Sequence, residues 1–270
     1  MRAFVEGVGL CGPGLNGWAK SRASLTGAEP YQAAPVVIPP CELLPANERR
    51  RMVATVKLAL AVGIEALADA NREAADTPTI FTSSSGDGET VHQILETLAS
   101  PERQISPTRF HNSVHNAPAG YWNIATQSRA PSTSLCGHDY SFAVGLLEAM
   151  TTLTVDECPV ALIAYDLPYP EPLHSVRSID SQFGVALVLT PQPTSGSRWS
   201  LALEMSGGSA QATPMENPRL EQLRQGNPAA RSLPLLAALS RNIATNVALD
   251  YLGHHQINLS VARVAQTDER

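Results

Sequence analysis

Residues 132–165 read STSLCGHDYSFAVGLLEAMTTLTVDECPVALIAY, and the order of patterns inside this stretch decides the fold class. Ser132–Cys136 is a short strand that enters a turn at Gly137. Ser141–Leu153 places Phe142, Leu146 and Met150 on one side of a helix, at successive spacings of four. Val160–Tyr165 is an unbroken apolar run, the pattern of a strand buried on both faces. Strand, helix and buried strand in that order build a sheet with helices on its faces.

The alternation continues on both sides. Upstream, Ala3–Gly9 reads as a strand, with a Gly/Pro loop through Gly17 and a Pro-rich loop over Pro30–Pro40. Asn47 is placed to cap a long helix, Glu48–Asn71, whose apolar stripe is Met52, Val56, Leu60, Ile64 and Leu67. Thr79–Thr82 is a strand, Ser83–Gly88 a tight turn, Val91–Leu98 a helix and Ala119–Thr126 a short helix. Downstream, Pro168–Asp180 is a loop. Phe183–Leu189 and Trp199–Met205 read as antiparallel strands joined by a Pro/Ser/Gly turn. Ser206–Pro218 reads as a linker, Ser232–Tyr251 as largely helical and Ile257–Val264 as a strand. The expectation is an α/β domain over residues 1–205, followed by a linker and a helix/strand tail over residues 206–270.

The chain has 270 residues, 43% of them hydrophobic but only 5% aromatic and 16% charged. That is ample for a buried core. The net charge is −6 and the only basic run is Arg49–Arg51, so the field that a nucleic-acid binder needs is missing. The longest apolar stretch, Val53–Ala70, is interrupted by Lys57, Glu65 and Asp69, and falls short of a membrane span. Glu6 breaks the apolar stretch that a signal peptide requires. Cys11, Cys41, Cys136 and Cys158 lie far apart without a C-x-x-C pair, which argues against a disulfide framework and the common zinc spacings. The cytoplasm is the expected compartment.

Four motifs carry potential chemistry. Gly7-Val8-Gly9-Leu10-Cys11-Gly12 matches G-x-G-x-x-G after a strand, but Pro13, Gly14 and Gly17 prolong the loop where a dinucleotide site needs a helix N-terminus. A glycine-rich turn is the plainer reading. His111 and His115 are four apart, yet Pro107 and Pro118 flank them and no third ligand is near, so no metal is expected. Ser83–Gly88 lacks the lysine of a phosphate loop. Cys136-Gly137-His138-Asp139 is the most enzyme-like cluster. A thiol at a strand-to-helix turn beside an imidazole can act as a nucleophile. Asp139 would oppose the thiolate, and a buried structural cysteine is the alternative.

Several segments together resemble the β-ketoacyl synthase branch of the thiolase-like superfamily. They are Phe4–Gly9 with Gly12-Pro13-Gly14, then Arg50-Arg51-Met52 leading into Leu58-Ala59-Leu60. Ile105-Ser106-Pro107, Asn116-Ala117-Pro118-Ala119-Gly120, Ala130-Pro131-Ser132 and Phe183–Leu189 follow in the family's order, over roughly residues 3–205. The resemblance implies half of a thiolase-like fold, a mixed five-stranded sheet with helices on its faces, plus the short tail.

In that family a cysteine ends a strand and starts a buried helix. Counting on from Asn116–Gly120 without a gap, the family cysteine falls on Asp139, with Ser132 and Ser134 matched before it and Ser141 and Ala149 after it. A carboxylate cannot accept and pass on an acyl chain as a thiolate does. His254-His255 matches neither of the family's histidine motifs. The resemblance therefore points to a non-catalytic, chain-length-factor-like subunit of type II fatty acid or polyketide systems, aryl polyene pathways included. Such a subunit pairs with an active β-ketoacyl synthase, or with a second copy in isolation, and meets acyl-carrier protein through the complex. It needs no cofactor. The family's dimer interface and tunnel floor fall on Phe110–Trp122 and Leu135–Phe142, which selects Phe110, His111, His115, Asn116, Tyr121, Trp122, Leu135, Tyr140 and Phe142. Two alternatives stand beside this one: a thiol-dependent acyltransferase or truncated synthase using Cys136 with His138, and a purely structural interaction protein.

Overall fold

A computed structural model describes residues 1–101, 103–207, 211–241, 243–253 and 255–264. The chain begins with β1 (Arg2–Gly12), β2 (Leu15–Asn16) and α1 (Trp18–Thr26). A long strap without regular structure then leads to α2 (Ala46–Arg51), α3 (Ala54–Ala70) and β3 (Thr79–Thr82). Next come α4 (Gly88–Ala99), α5 (Pro107–Asn112), α6 (Ala117–Thr126), β4 (Ser132–Leu135), α7 (Ser141–Val155) and β5 (Val160–Asp166). A short α8 (Leu173–Val176) precedes β6 (Phe183–Thr190) and β7 (Trp199–Gly207). The chain closes with α9 (Pro218–Gly226), α10 (Leu233–Arg241), β8 (Thr245–Tyr251) and β9 (His255–Arg263).

All strands join one sheet, in the order β4-β3-β5-β6-β1-β7-β9-β8, with β2 against β1. β4 and β5 flank β3 in parallel, and the remaining pairs are antiparallel. The sheet is thus mixed, as expected, but among the described residues it has nine strands rather than five. The extra width comes from the far end of the chain. β9 pairs with β7 along its whole length, from Trp199↔Arg263 to Gly207↔His255. The division expected at residue 205 falls inside β7, and Leu233–Leu239, Val247, Leu249 and Ile257 share one apolar core with β1, β5 and α7. The opposite face carries a second core, built from α3 and α6 against Phe81, Ile163 and Val188.

β6 and β7 are not a hairpin. Both pair antiparallel with β1, which lies between them, so they run parallel to each other. The apolar content of both strands was readable, but the partner that separates them lies almost two hundred residues upstream. Thr245–Tyr251, read as helix, is strand β8; its Val247 and Leu249 alternate inward at the strand period.

The expected helix over 48–71 is broken. Met52 is extended, with φ −66° and ψ 129°, and its side chain is buried. α2 buries no residue, and Asn112 Nδ2 donates to the Arg51 carbonyl at 2.9 Å, closing its C-terminal end. Asn47 lies inside α2, with Pro45 at the cap position. The helix ends where expected, with Asn71 in the left-handed region and its N–H on the Leu67 and Ala68 carbonyls.

α3 sits unusually close to β1. A Cβ at Gly7 would run into the Ala66 carbonyl and one at Gly9 into the Val62 carbonyl. The first two glycines of the G-x-G-x-x-G match therefore make room for a helix backbone, and they lie within the strand. No helix among the described residues is long and apolar enough to cross a membrane.

Candidate functional site

β4 delivers the chain to the turn singled out above. Gly137 N–H donates to Ser141 Oγ at 3.1 Å, and Ser141 Oγ–H donates to the His138 carbonyl at 2.7 Å. Thr82 Oγ1 donates to the Ser141 carbonyl at 2.8 Å, which ties the turn to β3. His138 takes a left-handed φ of 55° and opens a single 3-10 turn, His138–Tyr140, before α7 begins. Gly137 leaves no room for a Cβ against Val144. These constraints fix where Asp139 can point.

Asp139 points into a pair of arginines. Arg177 Nη2 donates to its Oδ1 at 2.9 Å, and Arg231 Nη2 lies 3.6 Å from its Oδ2. Arg177 comes from the loop after β5, where its Nε also donates to Tyr169 Oη at 3.4 Å. Arg231 comes from the turn before α10 and lies over the Tyr140 ring, 5.5 Å from its centroid. One carboxylate thus faces two guanidiniums, and these charge-assisted contacts hold it in place. Behind it, the cavity bounded by Tyr140, Phe142, Ala143, Pro234 and Leu249 encloses about 10 Å³. That holds at most about one water molecule, and an acyl chain has no room there.

The thiol beside it is differently placed. Cys136 is exposed and its Sγ–H donates to the Ser84 carbonyl at 3.1 Å. The His138 ring lies against Arg177, and no hydrogen bond joins it to Cys136, so the thiol–imidazole pair of the alternative reading is not formed. Ser83 and Ser84, at the end of β3, converge on Asp166 at the end of β5. Asp166 Oδ1 accepts from Ser84 N at 2.8 Å, Ser84 Oγ at 2.7 Å and Ser83 Oγ at 3.2 Å. Its burial outweighs those bonds and pushes the carboxyl up to about 6. His115 Nε2 meets the Ser83 carbonyl at 3.2 Å.

The expected interface residues divide into two groups. Phe110 is 64% exposed and stands with Val114 and Ile124 on the surface of α5, the following turn and α6. Beside them, His115, Asn116, Ala119, Gly120, Asn123 and the β4 serines line an open depression of about 490 Å³. Leu135 and Tyr140 are half-buried. Tyr121, Trp122 and Phe142 belong to the cores: Trp122 packs edge-on to Phe81 at 6.0 Å, and Tyr121 meets the His111 ring at 5.9 Å. His111 lies in the last turn of α5 and His115 beyond its end at Asn112, so the two do not share a helix face. Among the described residues, no group of three or more His, Cys, Asp or Glu is placed to hold a metal ion. His254 lies outside the described residues, and His255 opens β9. Ser83–Gly88 is a strand-to-helix turn whose Asp87 caps α4 through Thr90 N at 2.7 Å.

Arg177, Arg231 and Asp166 were not found from sequence. The arginines come from a loop and a turn that carry no motif, and only the closed sheet brings them to Asp139.

A solved complex of the ketosynthase ApeO with its chain length factor ApeC from Xenorhabdus doucetiae contains a chain of the same fold. Its TM-score is 0.74 at 23% identity, over 96% of this chain and 99% of that one. A chain of the ishigamide ketosynthase/chain length factor gives 0.73 at 14% identity, over 98% and 100%. A chain of AntDE:AntF, a type II acyl-carrier protein in complex with its ketosynthase bound to the hexaketide, gives 0.76 at 11% identity, over 97% and 99%. No curated protein matches the sequence. The sequence profile of the β-ketoacyl synthase N-terminal domain matches residues 18–255, and this chain belongs to that family.

Proposed function

We propose that the chain is a non-catalytic, chain-length-factor-like subunit that pairs with an active β-ketoacyl synthase in type II fatty acid or polyketide synthesis, aryl polyene pathways included. The observation that carries this reading is Asp139. The strand-to-helix turn on which the sequence resemblance puts the family's nucleophile holds a carboxylate, clamped by Arg177 and Arg231 over a cavity of about 10 Å³. A clamped carboxylate offers no thiolate, and the filled cavity offers no tunnel behind it. The chain's contribution then lies at its surface, where β4 is an edge strand without an outer partner among the described residues and Phe110, Val114 and Ile124 are exposed. An exposed strand edge beside apolar side chains is a template for another chain. The synthase supplies the nucleophile and the histidines, this chain supplies wall and support, and acyl-carrier protein reaches the pair. We place the pair in the cytoplasm, where free cysteines persist.

Co-expression with a type II ketosynthase, followed by pull-down and native mass determination, tests the reading. A one-to-one complex that makes product only when both chains are present is expected. Asp139→Ala should leave the complex and its product yield essentially intact, because Asp139 is more than a third exposed and its ion pairs are worth about 1 kcal/mol or less. Loss of product with the complex intact would give Asp139 a chemical role and sink the proposal. Intact-mass analysis after incubation with acyl-loaded carrier protein separates the thiol reading: an acyl adduct on Cys136 is its required outcome.

A further inference from the structure

A second cleft, of about 530 Å³, shares no residue with the site above. It opens between the end of β1, α1, α3 and the strap before α2. Its volume is that of a small-molecule pocket. Leu10 and Cys11 form its floor, and Ala19, Val37, Pro39 and Ala61 its apolar walls. The strap is held down at Cys11 Sγ, which donates to the Val37 carbonyl at 3.8 Å, and at Asn16 Oδ1, which accepts from Val37 N at 3.4 Å.

The polar groups that line this cleft carry opposite charges. Glu65 accepts from Trp18 N at 2.6 Å through Oε1 and from Leu10 N at 2.9 Å through Oε2. Each carboxylate oxygen keeps a further acceptor site, and no cation pairs with Glu65 among the described residues. The Cys11 thiol, pushed up to about 11 by burial and by Glu65, stays neutral beside it. Lys20 is exposed on α1 and also lines the cleft, so it repels a second positive charge.

We propose that this cleft binds an aliphatic primary monoamine, its ammonium on the Glu65 carboxylate and its alkyl chain between Ala61 and the Val37–Pro39 strap. The proposal is independent of pairing with a synthase.

The test titrates hexylamine, 1-hexanol and 1,6-diaminohexane into the full chain at pH 7.5. Calorimetry reads the affinity, and the amide resonances of Leu10 and Trp18 report on Glu65 directly. Hexylamine should saturate, shift both amides and bind about tenfold more tightly than hexanol, as a charge-assisted hydrogen bond requires. The diamine should bind more weakly than hexylamine. Glu65→Gln should erase the preference for the amine. Since Gln cannot accept from both amides and so threatens the fold, Ala61→Phe serves as the second variant. It fills the cleft, leaves Glu65 in place and should abolish binding of both hexylamine and hexanol. Equal affinity for hexanol and hexylamine, absence of saturable shifts, or unchanged binding to Ala61→Phe would each overturn the proposal.

Discussion

The two ends of the sheet are finished in opposite ways. At one end, β8 is covered by its own chain: Thr213 N–H donates to the Ala248 carbonyl and Ala248 N–H to Thr213 Oγ1, both at 2.9 Å. At the other end, β4 is paired with β3 on one side only, and its outer edge is bare among the described residues. Exposed edges invite association, and chains that avoid it cover or shorten them. This chain covers one edge with its own backbone and leaves the other able to pair.

The largest expected effect breaks this contrast at the open edge. Thr79 N–H donates to the Pro131 carbonyl and Ser83 N–H to the Leu135 carbonyl, so the odd-numbered residues of β4 face β3 and Ser132 and Ser134 turn their backbone groups outward. Ser134→Pro removes an outward N–H without touching the β3 ladder. It should lower the yield of synthase complex at least about tenfold, with a melting temperature within a few degrees of wild type. Co-purification and thermal unfolding read the two quantities; equal loss of both would mean that β4 serves the fold alone.

The next effect concerns the carboxyl that ties β3 to β5. Asp166 is raised to about 6, so the folded chain binds its proton more tightly than the unfolded chain does. Its stabilisation is full below its unfolded value and is lost as pH rises through 6. Asn keeps an acceptor oxygen and does not ionise. Asp166→Asn should therefore be more stable than wild type by roughly 2–3 kcal/mol at pH 8 and by little near pH 4. Urea unfolding at the two pH values checks it, and an equal gain at both would trace the effect to packing.

The smallest effect lies at the closed edge. Thr213→Val deletes the acceptor for Ala248 N–H and should cost about 1 kcal/mol. The variant should self-associate more on gentle heating, which light scattering would detect.

The sequence showed the fold wherever one element's own pattern was enough. β3, β4, α6, α7, β5 and β6 lie within about two residues of their expected bounds, because apolar period and turn residues are local signals. What failed depended on distant partners. Nothing in Pro191–Arg198 reveals that β1 will separate β6 from β7. Nothing near Met52 announces the kink that buries it, and Leu233–Tyr251 mixes a helix and a strand of similar composition. The site divides in the same way. The turn at Cys136–Asp139 was legible, whereas its counterions Arg177 and Arg231 were not, since a lone arginine in a loop resembles any solvated charge. Aromatic clustering left core packing and an anchor patch both open for Trp122 and Phe142; both fill the interior, and Phe110 is largely exposed.

On the pairing proposed above, the open strand has a consequence for copies made in excess of a partner. An unpaired copy waits with β4 uncovered, but that strand is four residues long and reads Ser-Thr-Ser-Leu. It is too short and too polar to seed the stacked assemblies that longer apolar edges form. On that pairing, surplus copies stay available to a partner instead of joining such assemblies.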